Sequence, residues 1–322
     1  MKSVKFLILI FIIASSLGCV APGQNQSADV VKLQYGWYPG ISASVKFRNT
    51  LIHNRPRRKS ERVTMDGSYV MRTKKHSAGL QIDCELTDFS VDDNRYLAAK
   101  NRPRQVLQKI VGVKPSFVIN GNGNLYDILP VGGFIEAIER ENSNFVRHVN
   151  HPQFNPKQFF LNRLVSKSHV VSRLHKSWER DVGQWINAEL RQGHRYSVKF
   201  ARPVLLFGNQ EAPNIGRYEY MGRVPCNRLD QKLSCVKLSY HSKVDDEYAN
   251  GALTALFKNM EINYIGTIAA KINYDLEVIT EERTLIPHYI KEIDSASLVD
   301  EKYGIHFEKQ DVKEFHYAYT ER

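Results

Sequence analysis

The sequence predicts an α+β fold, in which a mainly antiparallel β-sheet carries a helical insertion. The first observation is a hydrophobic period of two residues, clearest in Lys271–Ile279, where apolar side chains alternate with charged or polar ones. Such alternation is typical of an antiparallel sheet with one buried and one hydrated face. The second observation is a helical spacing of apolar residues, concentrated between about residues 132 and 193. The chain is also 42% hydrophobic, as globular proteins are, and we expect a single domain over residues 31–322.

The same alternation predicts further strands along the chain. They are placed at Ser68–Thr73, Leu80–Leu86, Ser116–Ile119, Tyr196–Phe200, Arg217–Gly222, Val236–Tyr240, Ile262–Ile268, Leu285–Glu292 and Phe315–Tyr319. Between two of them, Asn120–Asn124 predicts a tight reversal, because Asn and Gly tolerate the positive φ that hairpin turns require.

Helices are predicted mainly in the middle of the chain. They are placed at Pro103–Gly112, at Gly133–Glu141, within Gln158–Leu190 and at Tyr248–Met260. The apolar spacing in Gln158–Leu190 suits two amphipathic helices, with a break near Ser166 or Gly183.

Residues 1–18 have the layout of an export signal. Lys2 and Lys5 precede an apolar run from Phe6 to Ile13, and small residues follow up to Gly18. The apolar run is far shorter than the ~20 residues that a membrane-spanning helix needs. We therefore expect residues 1–18 to be removed as a signal peptide.

The residue after this segment is a cysteine. Gly18 followed by Cys19 resembles the bacterial lipoprotein signal, in which the cysteine is acylated and becomes the mature N-terminus. The resemblance implies lipidation of Cys19 and a lipid anchor in the cell envelope, and Val20 and Ala21 are compatible with the outer membrane. Ser16 departs from the family pattern, which usually has Leu there. Ordinary cleavage after Gly18, giving a soluble periplasmic or secreted protein, is the alternative.

The stretch that follows predicts a tether. Residues 19–30 contain Pro, Gly, Gln, Asn and Ser in no regular pattern. Such sequences are flexible, so we expect this segment to link the N-terminus to the folded domain.

The charge of the chain bears on its partners. The formal net charge is +11 at pH 7, and basic residues cluster in the first third of the sequence. Outside the cytoplasm the anionic partners of such a surface are lipid head groups and acidic polymers, and nucleic acid is not expected. A solvated basic surface without a partner is the alternative.

Three cysteines follow the predicted signal and Cys19. Cys226 and Cys235 flank a short segment between two predicted strands, and the oxidising compartment favours a disulfide between them. Closing so short a loop would stabilise the fold by about 2–3 kcal/mol. Cys84 shares the inward face of its predicted strand with Leu80 and Ile82, so we expect a buried thiol. Other pairings among the three cysteines stay open.

The order of elements and the export signal resemble the periplasmic lipoprotein carriers and related lipid-binding lipoproteins. In those families a strongly curved, half-barrel-like antiparallel sheet wraps around helices and encloses an apolar cavity. The resemblance covers most of the mature chain in outline. It implies a half-barrel-like sheet here, with an apolar or lipid-like ligand.

One aromatic segment is a candidate for ligand contact. Leu33–Ile41 combines three aromatic residues with two glycines and a proline. Trp37 and Tyr38 are the candidate contacts, since aromatic faces bind sugars or acyl chains. The alternative is that these side chains pack in the core and that Pro39 and Gly40 form a bend.

Sequence motifs for catalysis or metal binding are lacking. His148 and His151 are followed at once by Pro152, and neither His-Glu-x-x-His nor Gly-x-Ser-x-Gly occurs. We assign no catalytic residue, no metal ligand and no cofactor. The sequence favours a non-enzymatic envelope lipoprotein that binds an apolar or anionic lipid ligand or docks to envelope partners. A hydrolase acting on envelope polymers is the alternative.

Overall fold

The computed structural model describes residues 29–56, 60–93, 116–129, 167–204, 210–227, 234–259, 269–300, 302 and 304–320. The first strands are β1 (Val30–Lys32), β2 (Ser42–Asn54), β3 (Glu61–His76), β4 (Gly79–Asp93), β5 (Phe117–Ile119) and β6 (Leu125–Ile128). Next come helix α1 (Lys167–Asp181), a 3-10 helix (Gly183–Trp185), β7 (Glu189–Arg191), β8 (Arg195–Val204), β9 (Gln210–Val224) and β10 (Cys235–Val244). The last elements are helix α2 (Asp246–Asn259), β11 (Ala269–Glu281), β12 (Pro287–Asp300) and β13 (Ile305–Tyr319).

Eleven of these strands form one open antiparallel sheet, in the order β6-β5-β4-β3-β2-β13-β12-β11-β10-β9-β8. Strands that follow each other within β2–β6 and within β8–β13 lie side by side. The two runs are joined where β13 pairs with β2, with Glu308 opposite Asn54 and Tyr319 opposite Ala43. β1 and β7 form a separate two-stranded sheet. The predicted antiparallel sheet is confirmed.

The sheet has an inner face, on which the helices pack, and an outer face. In β11 the inner side chains of Tyr274, Leu276 and Val278 are at most 7% exposed. Lys271 and Asp275, which alternate with them, are exposed on the outer face. This is the alternation that the sequence predicts for the strand, and it arises because successive strand residues point to opposite faces.

The sheet bends towards its inner face. Trp178 of α1 packs against Phe117 of β5, with ring centroids 5.9 Å apart, and Trp185 packs against Tyr218 of β9 at 5.5 Å. In a flat sheet, β5 and β9 would lie about 38 Å apart, at ~4.8 Å per strand. The helical segment from Trp178 to Trp185 is only about 12 Å long. A flat sheet therefore could not make both contacts.

Helix α2 covers one part of the inner face. Its first turn is capped by Asp245, whose carboxylate accepts the backbone N–H of Tyr248 at 2.9 Å. The buried side chains of α2, Ala249 and Leu253, pack with inner residues of the sheet such as Ile272. The helix predicted at Tyr248–Met260 is thus present, and it begins at Asp246 because the capping residue, Asp245, directly precedes it.

Residues 33–36, which follow β1, run from the residue before β7 to the turn between β11 and β12. The backbone N–H of Leu33 donates to Ala188, and that of Gly36 donates to Thr284 at 3.1 Å. A Cβ atom at Gly36 would lie 2.8 Å from the carbonyl oxygen of Arg283, so only glycine allows this approach. These bonds tie the segment to both neighbours.

Most predicted strands lie within, or nearly coincide with, observed ones. These are Ser68–Thr73, Leu80–Leu86, Ser116–Ile119, Tyr196–Phe200, Arg217–Gly222, Val236–Tyr240 and Phe315–Tyr319. The predicted hairpin between β5 and β6 is also present. The Asn120 side chain accepts the N–H groups of Asn122 and Asn124, both at 3.0 Å, and Gly123 has a φ of 84°.

Two boundaries differ from the prediction. The strand expected at Leu285–Glu292 begins at Pro287, because Leu285 lies in a turn with a φ of 55°. The helical insertion expected up to about residue 193 ends earlier. Asn187 adopts a φ of 62°, and Leu190 pairs with Val31 in the small sheet.

Other expectations lie outside the described residues. These are the signal peptide 1–18, nearly all of the tether 19–30, the helices Pro103–Gly112 and Gly133–Glu141, the first part of Gln158–Leu190, and the strand Ile262–Ile268. In the described part, no helix is both long and apolar enough to cross a membrane.

Gly67 offers a test of the close packing between β2 and β3. A Cβ atom there would lie 2.5 Å from the Phe47 ring and 2.8 Å from the backbone oxygen of Asp88. We expect Gly67→Ala to lower the free energy of unfolding by about 1–3 kcal/mol in urea titrations, because the backbone cannot yield cheaply. The control is Gly251→Ala in α2, where nothing lies within 4 Å of the new atom. It should be neutral or stabilising, by up to about 1 kcal/mol, and equal losses in both variants would contradict this packing.

Candidate functional site

A buried arginine anchors α1 to the inner face. Arg180, in the last turn of the helix, donates to both carboxylate oxygens of Asp181, at 2.5 and 2.9 Å. It also donates to Glu292 of β12 at 2.5 Å and to the hydroxyl of Ser177 at 2.8 Å. The side chains of Arg180 and Glu292 are only 17% and 8% exposed. The helix is therefore held on the sheet by a buried ion pair.

The charges continue into β13. Lys313 lies 3.4 Å from a carboxylate oxygen of Glu292 and 3.5 Å from one of Asp311. Burial alone would lower the pKa of Arg180, but the carboxylates of Asp181 and Glu292 outweigh it and raise the pKa above its usual value. Two cations thus face three carboxylates, and we call these five residues the ion cluster.

Two tyrosines border the ion cluster. Burial raises the pKa of both Tyr69 and Tyr317 well above the usual value, and their hydroxyls are hydrogen-bonded to each other. The negative charge of Asp181 adds to the shift in both. Further along the sheet, burial raises the pKa of Tyr218 to about 12, with a smaller contribution from Tyr240. These hydroxyls are neutral near pH 7 and act as hydrogen-bonding groups.

An aromatic patch lies beside the ion cluster. The Phe47 ring of β2 is 6.3 Å from the Phe315 ring of β13 and 6.2 Å from that of Tyr69. Tyr317 and Tyr319 stack with centroids 6.4 Å apart. Phe47, Phe315, Tyr317 and Tyr319 are only half-buried, although they pack against the main core. We call these four residues the aromatic patch.

Two buried acceptor atoms near the patch have no hydrogen-bond partner within the described structure. They are Oδ1 of Asn49 and Oδ1 of Asp311. In the register of β2 and β13, Asn49 lies opposite Lys313, and Asp311 precedes Lys313 by two residues in β13. A buried acceptor without a donor costs free energy. Among the described residues, these two oxygens are therefore buried acceptors with unused hydrogen-bonding capacity beside the patch.

The structure places Trp37 and Tyr38 at the core. The Trp37 indole donates to the carbonyl of Leu285 at 3.2 Å, and its ring lies 5.3 Å from that of Trp178. The carbonyl of Tyr38 accepts a 2.7 Å bond from the Thr73 hydroxyl. Both residues pack against the main core. These contacts favour the core-packing alternative, and a ligand contact at Trp37 or Tyr38 stays a prediction.

The cysteines are placed as follows. The sulfur atoms of Cys226 and Cys235 lie 2.09 Å apart, which is a bonding distance. Cys84 lies in β4 outside this disulfide, on the same face as Leu80 and Ile82, but it is half-buried and not fully buried as predicted. Cys19, the predicted lipidation site, lies outside the described residues.

The outer face carries an open groove of about 440 Å³. It crosses β2, β3, β4 and β13, and its charged lining includes Lys46, Asp88, Glu314 and the pair Arg48 and Asp66. Arg48 and Asp66 are 2.7 Å apart and largely exposed. Since cations and carboxylates are interspersed and solvated, the groove has the character of a polar surface.

Sequence reasoning missed Arg180, Glu292 and Lys313. A signal was present in two strands, where Glu292 and Lys313 occupy positions that alternation assigns to the buried face. Charged residues in the buried phase of a strand indicate an internal ion pair. Nothing in the sequence marks Arg180 as their partner, because a helical Arg-Asp pair is ordinarily solvated.

Comparison with known proteins adds no family assignment: no family model matches the chain, and no curated protein is significantly similar to it.

The ion cluster predicts a large effect for one substitution. Arg180→Met removes the shared partner of Asp181 and Glu292 and leaves their carboxylates buried without it. We expect a loss of about 3–5 kcal/mol in the free energy of unfolding, measured in urea. Arg195 is the matched control, since its ion pair with Glu219 is 3.1 Å long but its side chain is 69% exposed. Arg195→Met should cost less than about 1 kcal/mol, and similar losses in both variants would contradict a structural role of the cluster.

The buried tyrosines predict how stability depends on alkaline pH. Their pKa values are higher in the folded than in the unfolded chain, so their contribution is complete below about pH 10 and is lost as pH rises. For Tyr218, whose pKa rises to about 12 in the folded chain, the contribution is lost between about pH 10 and about pH 12. Titration of tyrosinate absorbance should show fewer than the 16 tyrosines of the chain ionising near pH 10 while the fold persists. Tyr218→Phe should remove one late group, and ionisation of all tyrosines together in folded protein would contradict this account.

Proposed function

We propose that the protein is a non-enzymatic lipoprotein of the bacterial cell envelope, and that its inner face binds one amphipathic, lipid-like ligand. The observation that carries this proposal is the aromatic patch, which is half-buried on the inner face beside a partly buried ion cluster. Pockets for small ligands combine apolar walls with a few convergent polar groups. The inner face has both.

The bend of the sheet supports the same proposal. Because β5 and β9 both contact the short segment from Trp178 to Trp185, the inner face is concave around α1. This concavity is consistent with the half-barrel that the resemblance to lipoprotein carriers implies. A concave face buries more of a guest than a flat one does, so an acyl chain could lie along the aromatic patch.

The polar groups favour a particular head group. The ion cluster has three carboxylates against two cations, and among the described residues no group donates to the Oδ1 atoms of Asn49 and Asp311. An amine or hydroxyl head group would supply donors. We therefore favour a ligand with a donor head group over the anionic lipid that the basic composition suggests.

The predicted address supports the proposal from a separate direction. Lys2 and Lys5, the apolar run and the Gly18–Cys19 pair have the layout of a lipoprotein signal. The described chain begins at Asp29, whose carboxylate accepts a 2.6 Å hydrogen bond from Tyr220 and lies 3.2 Å from Arg223. A lipid on Cys19 would thus reach the fold through a tether that is fixed at the end of β9.

Tryptophan fluorescence can test ligand binding. All three tryptophans of the chain, Trp37, Trp178 and Trp185, lie in or against the main core at the inner face. A dansyl-labelled fatty acid should accept energy from them with a saturable, one-site profile. Dodecylamine should displace this probe at least ~10-fold more effectively than dodecanoate, because only the amine supplies donors.

A matched pair of variants locates the site. Phe315→Gln, in the aromatic patch, should weaken probe binding about 10-fold, in keeping with the ~1.5–3 kcal/mol that burial of such a side chain is worth. Val198→Gln is the control, since Val198 is 40% exposed on the edge strand β8. No saturable energy transfer, or equal binding by both variants, would contradict an inner-face site. The mass of the N-terminal peptide, measured on protein purified from the cells that produce it, shows separately whether Cys19 is acylated.

A further inference from the structure

Two cysteines and a histidine meet at one end of the sheet. The sulfur atoms of Cys226 and Cys235 and a ring nitrogen of His288 all lie within 4.8 Å of one another. Cys235 begins β10 and is fully buried, Cys226 follows β9 and is half-buried, and His288 is the second residue of β12. The strands β9 to β12 are adjacent in the sheet, so the framework itself brings the three donors together.

We propose that these three residues form a redox-gated site for a thiophilic divalent cation, with Zn²⁺ as the ion that suits it best. The site is available when the disulfide between Cys226 and Cys235 is reduced. In the oxidised chain it is closed.

The donor atoms, two sulfurs and one nitrogen, determine which ion suits the site. Zinc is bound in proteins by thiolate and imidazole at about 2.3 and 2.0 Å, in tetrahedral geometry. Donors of one such ion lie about 3.3–3.8 Å apart. The sulfurs, 2.09 Å apart in the disulfide, must therefore separate after reduction, while all three donors already lie within 4.8 Å of one another. Mg²⁺ and Ca²⁺ require oxygen donors and do not suit two sulfurs and a nitrogen.

A carboxylate stands next to the histidine. An oxygen of Glu281 lies 3.4 Å from Nε2 of His288, whose side chain is 13% exposed. Glu281 is also the direct neighbour of Cys235 across β10 and β11. A carboxylate in this place can orient the imidazole or supply an oxygen to the fourth position of the ion.

Reduction of the disulfide makes the two sulfurs available to the ion. A dithiol reductant gives two electrons and two protons to the S–S bond and becomes a disulfide itself, which leaves two thiols on the protein. Zn²⁺ then displaces the two thiol protons and binds two thiolates. The sulfurs of a disulfide are not thiolates, so the bond and the ion exclude each other. Cys84, on β4, lies six positions from β10 in the strand order and is not a ligand.

The experiment uses the full-length chain, reduced with a water-soluble phosphine and freed of excess reductant under inert gas. Co²⁺ serves as the spectroscopic probe, since thiolate ligation gives charge-transfer absorption, and Zn²⁺ competition against a chromogenic chelator gives the affinity. We expect one equivalent of Zn²⁺ per reduced chain and at least ~100-fold weaker binding by the oxidised chain. His288→Ala should weaken binding of the reduced chain at least ~10-fold.

Two matched variants complete the test. Cys84→Ser and His241→Ala, an exposed histidine of β10 beside Asp275, should bind as the wild type does. Circular dichroism of the reduced chain must show the native spectrum, because the site requires the assembled sheet. The proposal is overturned by a reduced chain that unfolds, by no stoichiometric binding, by undiminished affinity in His288→Ala, or by dependence on Cys84.

Discussion

The ion cluster around Arg180 determines how the helical part of the chain meets the sheet. The guanidinium of Arg180 donates hydrogen bonds to Asp181 on its own helix and to Glu292 on β12. Helix α1 therefore ends where both carboxylates can contact one guanidinium. The position of this helix end also determines the contacts of the residues that follow it. Trp185 packs on Tyr218, and the chain turns at Asn187 to form β7. Because all three charges are largely buried, each is tolerated only while its partners are present.

The same cluster gives the inner face its amphipathic character. A concave sheet lined only by Leu, Ile and Val would favour any apolar ligand, whereas here half-buried aromatic rings adjoin largely buried charges and acceptors that no described residue pairs with. If the inner face binds a ligand as we propose, it would discriminate between ligands by their polar groups, since a ligand that left the acceptors unpaired would bind less well. The proposed ligand class follows from this pairing of aromatic and polar surface.

Much of the sheet could be predicted from the sequence, because period-two alternation reports one-sided burial directly. Lys271–Ile279 and Phe315–Tyr319 are clear cases. β2 was missed because its inner positions include Asn49 and His53, which interrupt the apolar phase. The pairing of β13 with β2 was also out of reach, since it joins residues more than 250 positions apart, and local patterns carry no information on such contacts.

The residues of the candidate site were likewise only partly predictable from the sequence. Glu292 and Lys313 stand in the buried phase of their strands and could have been noticed, but their partner Arg180 belongs to a helix whose docking depends on the bend of the sheet. The proximity of His288 to Cys226 and Cys235 depends in turn on the register of β12 against β11. Composition and spacing reveal residue types, and only the three-dimensional arrangement reveals which of them meet.

Native mass spectrometry of the protein, purified without denaturation from the cells that produce it, shows directly whether the inner face holds a ligand. We expect one non-covalently bound amphiphile per chain, in addition to any acyl mass on Cys19. The amount bound should be unchanged in Val198→Gln and lower in Phe315→Gln. A chain that carries no bound amphiphile under conditions that preserve its fold would contradict the inner face as a ligand site. A ligand retained equally by both variants would contradict it as well.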